Sequence, residues 1–506
     1  MRIGYRRWAV ATAVAAAVAV AAPSQAAPVI EVHGHRASHV DDPSAPARSA
    51  TDLRAPSRPR ASTAMRPRAL ATSARGRHAV ARTLRGALRG RRISRRAYTR
   101  WRRQFAKARR TLRRLRGARR TELAYVAGSV ESLALQRQLI PSRMPVAFLG
   151  LARNRQYWRS LPFPAAGDRV SFRGSEILFQ YFPGRGLQLH PLATFKKANL
   201  IHGACVRREP GCQPAALRLL LDEMSRLAVR RGRGFIAWEY MFEFGGGAPP
   251  WMSGMAQATA VQALARAADL LDRPEYVATA RRALGAFATL PPTGVRAVGP
   301  GGGIHYLQYS FAPRLYIFNA FLQSLIGLHD FSELTGDRRS LELYEDAEPE
   351  AREEIPLSDV GDWSRYSYLG SESNADYHEL LREFLQSMCS RRLGPIYCTY
   401  AKRYLGYQTD PPVLRLNVPE LTTKGDLTAI RFRLSKLSAV EITVTKGTKV
   451  ALNRIATFRR GAGSFLWRPR SPGLYTVRLG AKELRTGRGL KDRGSSEIQV
   501  EPDPDA

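Results

Sequence analysis

Acidic residues are scarce in this 506-residue chain, which has 42 Asp and Glu against 80 Lys and Arg and a formal net charge of +38. The shortage is uneven. Residues 51–120 contain 25 Lys and Arg but a single acid, Asp52, so this segment supplies +24 of the +38. The rest of the chain is therefore only mildly basic, and one segment accounts for most of the high isoelectric point.

Cysteine is also scarce, and none of the four cysteines lies in a CxxC pair, the usual spacing of a zinc site. Cys205 and Cys212 are close in sequence, and so are Cys389 and Cys398. Two local disulfides are therefore expected, although the spacing alone leaves three pairings open.

Only one long apolar run is present, Trp8–Ala22. Three arginines, Arg2, Arg6 and Arg7, precede it, and Ser24-Gln25-Ala26 follows it. This pattern predicts a secretory signal peptide over residues 1–26, with an uncleaved anchor as the alternative. We therefore expect a secreted or cell-envelope protein that has no membrane span after signal cleavage.

Large apolar side chains are rare between residues 27 and 90, which predicts a disordered basic linker. Residues 91–168 are predicted to be helical, because apolar residues recur there at helical spacing. Clustered arginines can bind nucleic acid, but export argues against that partner and favours an anionic envelope polymer. The apolar residues that recur at helical spacing within residues 91–168 are Trp101, Phe105, Ala108, Leu112 and Leu115.

The remaining chain predicts a multidomain fold. Residues 169–405 begin with β-rich runs and continue with helices joined by Gly- and Pro-containing loops, which favours an α/α toroid, an incomplete (α/α)6 barrel, preceded by a small β element. Residues 411–502 alternate as strands and predict an immunoglobulin-like β-sandwich. Helical spacing is present in 215–229, 252–271, 274–290, 314–334, 338–353 and 375–389.

Neither glycine run, 245–247 or 301–303, is followed by the Lys-Ser/Thr of a phosphate loop, which excludes that kind of nucleotide site. Two other loop segments, 303–309 and 363–378, combine Tyr, His and Arg at predicted helix starts. Taken alone, these residues favour aromatic packing or sugar stacking.

Four segments carry a family resemblance. Residues 250–257 (PWMSGMAQ), 319–330 (NAFLQSLIGLHD), 376–378 (DYH) and 182–189 (FPGRGLQL) resemble segments of the glucuronyl C5-epimerases in the same order. The resemblance covers about residues 170–405 and implies a β element on an α/α toroid that acts on uronate units of a polysaccharide.

The resemblance also implies site residues. Tyr309, Tyr366 and Tyr377 match the family's three tyrosines around C5 of the uronate. Gln308 stands where members acting on heparosan often have Glu, and Asn374-Ala375 replaces a common Arg-Trp pair. His378 joins these as a candidate catalytic residue. The candidate substrate-binding residues are Trp251, Ser253, Gln257, His305, Arg314, Asn319 and Arg365.

The expected reaction removes the C5 proton α to a carboxylate and returns a proton to the opposite face, which requires two acid/base groups. Arg314 or Arg365 could pair with the carboxylate. This route implies an anionic uronate polysaccharide as partner and needs no metal or other cofactor, and a homodimer stays open.

Three alternatives remain at this point. A polysaccharide lyase would use His378 or His305 as its base, and a non-catalytic envelope protein would only bind polyuronate. A glycoside hydrolase would need two opposed carboxylates. The candidate carboxylates are Glu239, Glu243, Asp362, Glu372 and Asp376. Their spacing in the sequence does not indicate that any two of them form an opposed pair.

Overall fold

The computed structural model describes residues 27–47, 51, 53, 73–232, 234–490 and 494–504. The predicted signal peptide, residues 1–26, lies outside them. Among the described helices, none is long and apolar enough to cross a membrane.

A five-stranded sheet forms the first unit, with strand order β2-β1-β3-β4-β5. Its first two strands belong to the segment that the sequence predicts to be disordered, and β1 pairs in parallel with β3. The strands are β1 (Ala27–His33), β2 (Arg36–Asp42), β3 (Arg169–Phe172), β4 (Ser175–Phe182) and β5 (Gly186–Leu189).

The prediction of disorder over residues 27–90 is wrong for 27–42 and 74–89. In β1, Val29, Ile30 and Val32 are buried in a sheet whose strands β3, β4 and β5 lie more than 100 residues later. The salt bridge from Lys197 to Asp42, at 2.8 Å, ties β2 to the helical unit. The average composition of the segment hides these few apolar positions.

Among the described residues, four helices lie between β2 and β3, and the first of them also falls in the segment predicted to be disordered. Its buried stripe is Ala79, Val80, Leu84 and Ala87, and the Ser73 hydroxyl caps its N-terminus by accepting from Gly76 N. Small apolar residues on one face suffice here because α1 packs on α3. The helices are α1 (Ala74–Arg89), α2 (Arg95–Arg114), α3 (Gly117–Leu135) and α4 (Met144–Trp158).

The central unit is built from nine helices and two short hairpins in the described chain. The helices are α5 (Pro191–Arg207), α6 (Pro214–Leu227), α7 (Gly254–Leu270), α8 (Glu275–Ala283), α9 (Gly285–Ala288), α10 (Phe318–Thr335), α11 (Arg338–Leu357), α12 (Ala375–Ser390) and α13 (Pro395–Thr409). The hairpin strands are β6 (Val229–Arg231), β7 (Phe235–Ala237), β8 (Arg296–Val298) and β9 (Ile304–Tyr306).

Helices α5, α7, α10 and α12 pack on one another in that order, and each also packs on a following helix, α6, α8, α11 or α13. Four successive helical hairpins are compatible with the predicted incomplete toroid, which stays a prediction. Three of the four segments that the family resemblance singles out include the first turns of α7, α10 and α12.

The C-terminal unit contains two sheets with strand orders β10-β12-β15 and β11-β17-β16-β13-β14. Buried side chains of both sheets, such as Phe432 and Val477, share one core. The two packed sheets agree with the predicted β-sandwich, and its immunoglobulin-like type stays a prediction. The strands are β10 (Leu414–Asn417), β11 (Leu421–Thr423), β12 (Thr428–Leu434), β13 (Ser438–Lys446), β14 (Lys449–Phe458), β15 (Gly461–Trp467), β16 (Gly473–Glu483) and β17 (Gly494–Glu501).

The four cysteines form two local disulfides, Cys205–Cys212 and Cys389–Cys398. These pairs are the two that the sequence spacing suggests, and they decide among the three possible pairings. One joins the last turn of α5 to the loop that follows it, and the other joins α12 to α13.

Candidate active site

The start of α7 is fastened to the segment after β9. Gly254 N donates to Leu307 O at 3.0 Å, and Ser310 N donates to Met252 O at 3.0 Å. A Cβ on Gly254 would lie 2.5 Å from Leu307 O, so only glycine permits this approach. The PWMSGMAQ segment thus positions residues 307–310 beside the first turn of α7.

The polar residues of that segment are used within the protein. Ser253 caps α7 by accepting from Ala256 N at 3.1 Å, and its hydroxyl donates to Gln308 Oε1 at 3.0 Å. The Gln257 amide accepts from Trp238 N and donates to Trp238 O, both at 3.0 Å. These contacts support the site's framework and leave Ser253 and Gln257 no evident role in binding substrate.

Trp251 belongs to an aromatic cluster. Its ring stacks on Tyr240 with centroids 4.1 Å apart, and its Nε1 donates to Phe242 O at 2.8 Å. The Tyr309 ring packs edge-on against Trp251 at 5.6 Å and stacks on Phe311 at 5.3 Å. Trp251 therefore holds the Tyr309 ring in place and is itself buried.

The three tyrosines that the sequence singles out lie together. The Tyr309 and Tyr366 side chains are hydrogen-bonded. The Tyr366 and Tyr377 rings meet edge-on with centroids 4.8 Å apart. Tyr309 is buried, whereas Tyr366 and Tyr377 are partly exposed. Tyr366 and Tyr377, which follow Tyr309 by 57 and 68 positions in the sequence, thus form one cluster with it.

Burial raises the pKa of Tyr309 well above its usual value, and the neighbouring Tyr366 and Tyr377 hydroxyls add to the shift. The Tyr309 hydroxyl remains protonated at neutral pH and is a hydrogen-bond and proton donor.

Two of the candidate polar residues near the tyrosines are buried. Gln308 accepts the Ser253 hydroxyl bond described above, and Asn319 is buried at the second position of α10. An amide at position 308 can make this bond without the charge that a carboxylate would bring into a buried site.

His378 is buried and uses both ring nitrogens. Its Nδ1 lies 2.7 Å from the Ser364 hydroxyl and its Nε2 lies 3.1 Å from Tyr404 O. Because a carbonyl only accepts, Nε2 carries the proton and Nδ1 accepts from Ser364. Its ring stacks on Trp363 at 3.7 Å, and burial lowers its pKa to about 4. This geometry favours a structural role for His378 over the predicted catalytic one.

His305 is paired differently. Its Nδ1 lies 2.7 Å from Glu354 Oε1, while Nε2 has no hydrogen-bond partner in the described chain. The ring packs against Phe321 at 4.2 Å and Tyr316 at 5.1 Å. A carboxylate that orients a histidine is typical of general bases, although this pair is buried.

The two arginines proposed to pair with the substrate differ in their surroundings. Arg314 is exposed, five residues after Tyr309. The Arg365 guanidinium donates to Gly370 O at 3.1 Å and lines a cavity beside the C-terminal sandwich.

Three of the five hydrolase candidates, Glu239, Asp362 and Glu372, form ion pairs with arginines. Glu239 binds Arg143 at 2.6 Å and Arg231 at 2.6 Å, and it is buried. Asp362 and Glu372 share Arg485. Carboxylates neutralised in this way are poor general acids or nucleophiles, which disfavours the hydrolase alternative.

Sequence reasoning missed a carboxylate that shapes the approach to the site. Glu122 on α3 accepts from Tyr181 OH at 2.9 Å, Gly184 N at 2.8 Å and Gly186 N at 2.6 Å, which fixes the turn of the FPGRGLQL segment. Its partners lie about 60 residues later, so no local pattern marks it. Glu350 similarly accepts from Gly301 N at 2.8 Å, which explains the second glycine run.

Part of the chain is similar in sequence to known proteins. Residues 232–406 match the family described as D-glucuronyl C5-epimerase C-terminus. The D-glucuronyl C5-epimerase of Caenorhabditis elegans is 28% identical over 178 residues, which cover 31% of this chain and 29% of that protein. An uncharacterized protein of Methanocaldococcus jannaschii is 27% identical over 176 residues, 34% of this chain and 57% of that protein.

The chain thus spans less than two thirds of either relative. The cellobiose 2-epimerase of Spirochaeta thermophila aligns with a TM-score of 0.34 at 14% identity, over 58% of this chain and 73% of that one. A TM-score this low supports no inference. The segment that matches the glucuronyl C5-epimerase family, residues 232–406, includes all three clustered tyrosines.

Proposed function

We propose that this protein inverts C5 of D-glucuronate units in an anionic polysaccharide. The observation that carries the proposal is the cluster of Tyr309, Tyr366 and Tyr377, drawn from three separate segments of the family region. Packing alone does not require hydroxyl groups on three neighbouring rings. The three hydroxyl groups together supply several acid/base groups at one point.

The reaction requires a group that removes the C5 proton and another that returns one to the opposite face. Tyr309, which burial keeps protonated, is suited to donate a proton. Tyr377 lies in the first turn of α12, where the helix N-terminus favours negative charge, and is suited to act as the base. Tyr366 lies between them and can relay or share a proton.

Proton removal creates an enediolate-like dianion, so the substrate carboxylate needs a cation. Arg314 is the arginine best placed for this role, because it follows Tyr309 closely in sequence and is exposed. Its planar guanidinium can bind both carboxylate oxygens.

The two disulfides are compatible with export to an oxidising compartment, which is where such a polymer would be met. We accordingly propose that the protein acts in the cell envelope or outside the cell. Mass spectrometry of exported protein should find a mature N-terminus near Ala27 and no thiol that reacts with an alkylating agent.

One observation favours a lyase as the second candidate. His305 is oriented by Glu354 and its Nε2 has no partner in the described residues, so it could remove the C5 proton and leave elimination to follow. Against this, both residues are buried.

Incubation of the protein with unsulfated glucuronate polymer in deuterated water separates these reactions. An epimerase places deuterium at C5, detected by NMR, and yields both gluco and ido configurations. A lyase produces an unsaturated sugar that absorbs in the ultraviolet. Polymer binding with neither product would contradict both reactions and favour a binding protein.

A further inference from the structure

A basic cavity of about 580 Å³ lies where the loop before α12 meets the C-terminal sandwich. Its walls come from both units: residues 360–372 on one side, and residues 437, 459–460 and 485 on the other. Its charged residues are Arg365, Arg459, Arg460, Arg485, Asp362 and Glu372, which sum to a formal charge of +2.

Arg485 fixes the two walls to each other. Its guanidinium donates to Asp362 at 3.0 Å and to Glu372 at 2.6 Å, and it lies over the Trp363 ring at 5.2 Å. Leu437 N also donates to Asp362, at 2.9 Å. Both carboxylates of the cavity are therefore engaged by Arg485, so they offset little of the charge of the other arginines.

The other arginines are weakly compensated. Arg460 Nη1 donates to Val360 O at 3.3 Å, and Arg365 contacts a carbonyl as described above. A Cβ on Gly361, which has φ +88°, would lie 2.1 Å from Arg460 Nη1, so glycine makes room for this side chain. Arg459 is largely exposed, and its nearest carboxylate contact, with Glu372, is 3.6 Å long.

The cavity and the tyrosine cluster share one loop. Arg365 and Glu372 bridge as antiparallel partners, and Tyr366 N donates to Ser371 O at 3.1 Å. Arg365 lines the cavity, whereas the ring of the adjacent Tyr366 packs on Tyr377. The loop of residues 360–372 therefore contributes to both the cavity and the tyrosine cluster.

We propose that this cavity is a second binding site for the carboxylate groups of an acidic polysaccharide, formed jointly by the 360–372 loop and the C-terminal sandwich. The inference rests on the proposed function for the identity of the polymer. Planar guanidinium groups bind carboxylates through paired hydrogen bonds, and a basic concave surface concentrates polyanions. The site holds units of the polymer other than the one that reacts.

The test compares two double variants, each of which replaces two arginines by glutamates and so changes the net charge by the same amount. Arg459→Glu/Arg460→Glu reverses the cavity, and Arg454→Glu/Arg478→Glu reverses two exposed arginines on β14 and β16 that do not line it. Binding of heparosan polymer and of its tetrasaccharide is measured by calorimetry at about physiological salt. Melting temperatures near that of the unmodified protein show that both variants fold.

We expect the cavity variant to bind the polymer about tenfold more weakly, as several partly exposed charge pairs are lost, and the control to bind it within about twofold. Equal losses in both variants, or no loss in either, would overturn the proposal, as would absence of polymer binding by the unmodified protein. Since binding is measured without turnover, a cavity effect in a protein that exchanges no C5 hydrogen would refute the epimerase and leave this site standing.

Discussion

The role of His378 can be tested directly, because the structure indicates a structural role where the sequence suggests a catalytic one. Burial lowers its pKa from 6.5 to about 4, so the folded protein excludes a proton that the unfolded chain binds. The stabilisation that this pKa difference contributes to the folded state is fully present above about pH 6.5. That stabilisation is lost as the pH falls towards 4.

The magnitude follows from the two pKa values. The complete loss corresponds to about 3 kcal/mol of unfolding free energy. Between about pH 7.5 and pH 5 the loss from His378 alone is about 2 kcal/mol. Other groups titrate over this range too, including buried His190, whose pKa burial also lowers. Their contribution is common to the unmodified protein and a His378 variant.

The assay is urea unfolding of the unmodified protein and of His378→Gln at both pH values. The variant should be less stable at pH 7.5, because the Trp363 stack and one hydrogen bond are lost, but its stability should fall by about 2 kcal/mol less on acidification. It should retain C5 hydrogen exchange once folded. An unchanged pH dependence with exchange abolished would refute the structural role and restore His378 as a catalytic residue.

Two further outcomes follow from the fold. Deleting residues 27–42 should destabilise the sheet by roughly 5 kcal/mol, because three buried apolar side chains of β1 are lost; an unchanged melting temperature would restore the prediction of disorder. Glu122→Gln should cost about 1–3 kcal/mol, because an amide cannot accept from three donors as the carboxylate does. Hydrogen exchange at Gly184 and Gly186 should then accelerate, and no change there would show that the carboxylate does not fix this turn.

The sequence predicts best where local pattern and family motif agree. The helix expected over 375–389 is found at Ala375–Ser390, and the clustered tyrosines are those that the resemblance marks. The helix expected over 274–290 is divided into α8 and α9, which end before Pro291. Helical periodicity gives the type of an element more reliably than its limits.

Long-range partners explain the failures. Strand β1 is stabilised by β3, about 140 residues away, and nothing within residues 27–42 reveals that partner. The Arg485 contacts to Asp362 and Glu372 join units that the sequence presents as separate domains. Ser253, Gln257 and His378 belong to family motifs, and only their hydrogen bonds show that each stabilises the framework.

The central claim concerns the Tyr309 hydroxyl, and the most direct measurement is C5 deuterium incorporation by Tyr309→Phe. The change removes one oxygen and leaves the stacked ring. Tyr276→Phe is the matched control, since its buried hydroxyl binds Asp222 on α6 and lies outside the cluster. We expect Tyr309→Phe to lose about 10²–10⁴-fold in exchange rate while Tyr276→Phe keeps the unmodified rate. Exchange at the unmodified rate in Tyr309→Phe would contradict the account.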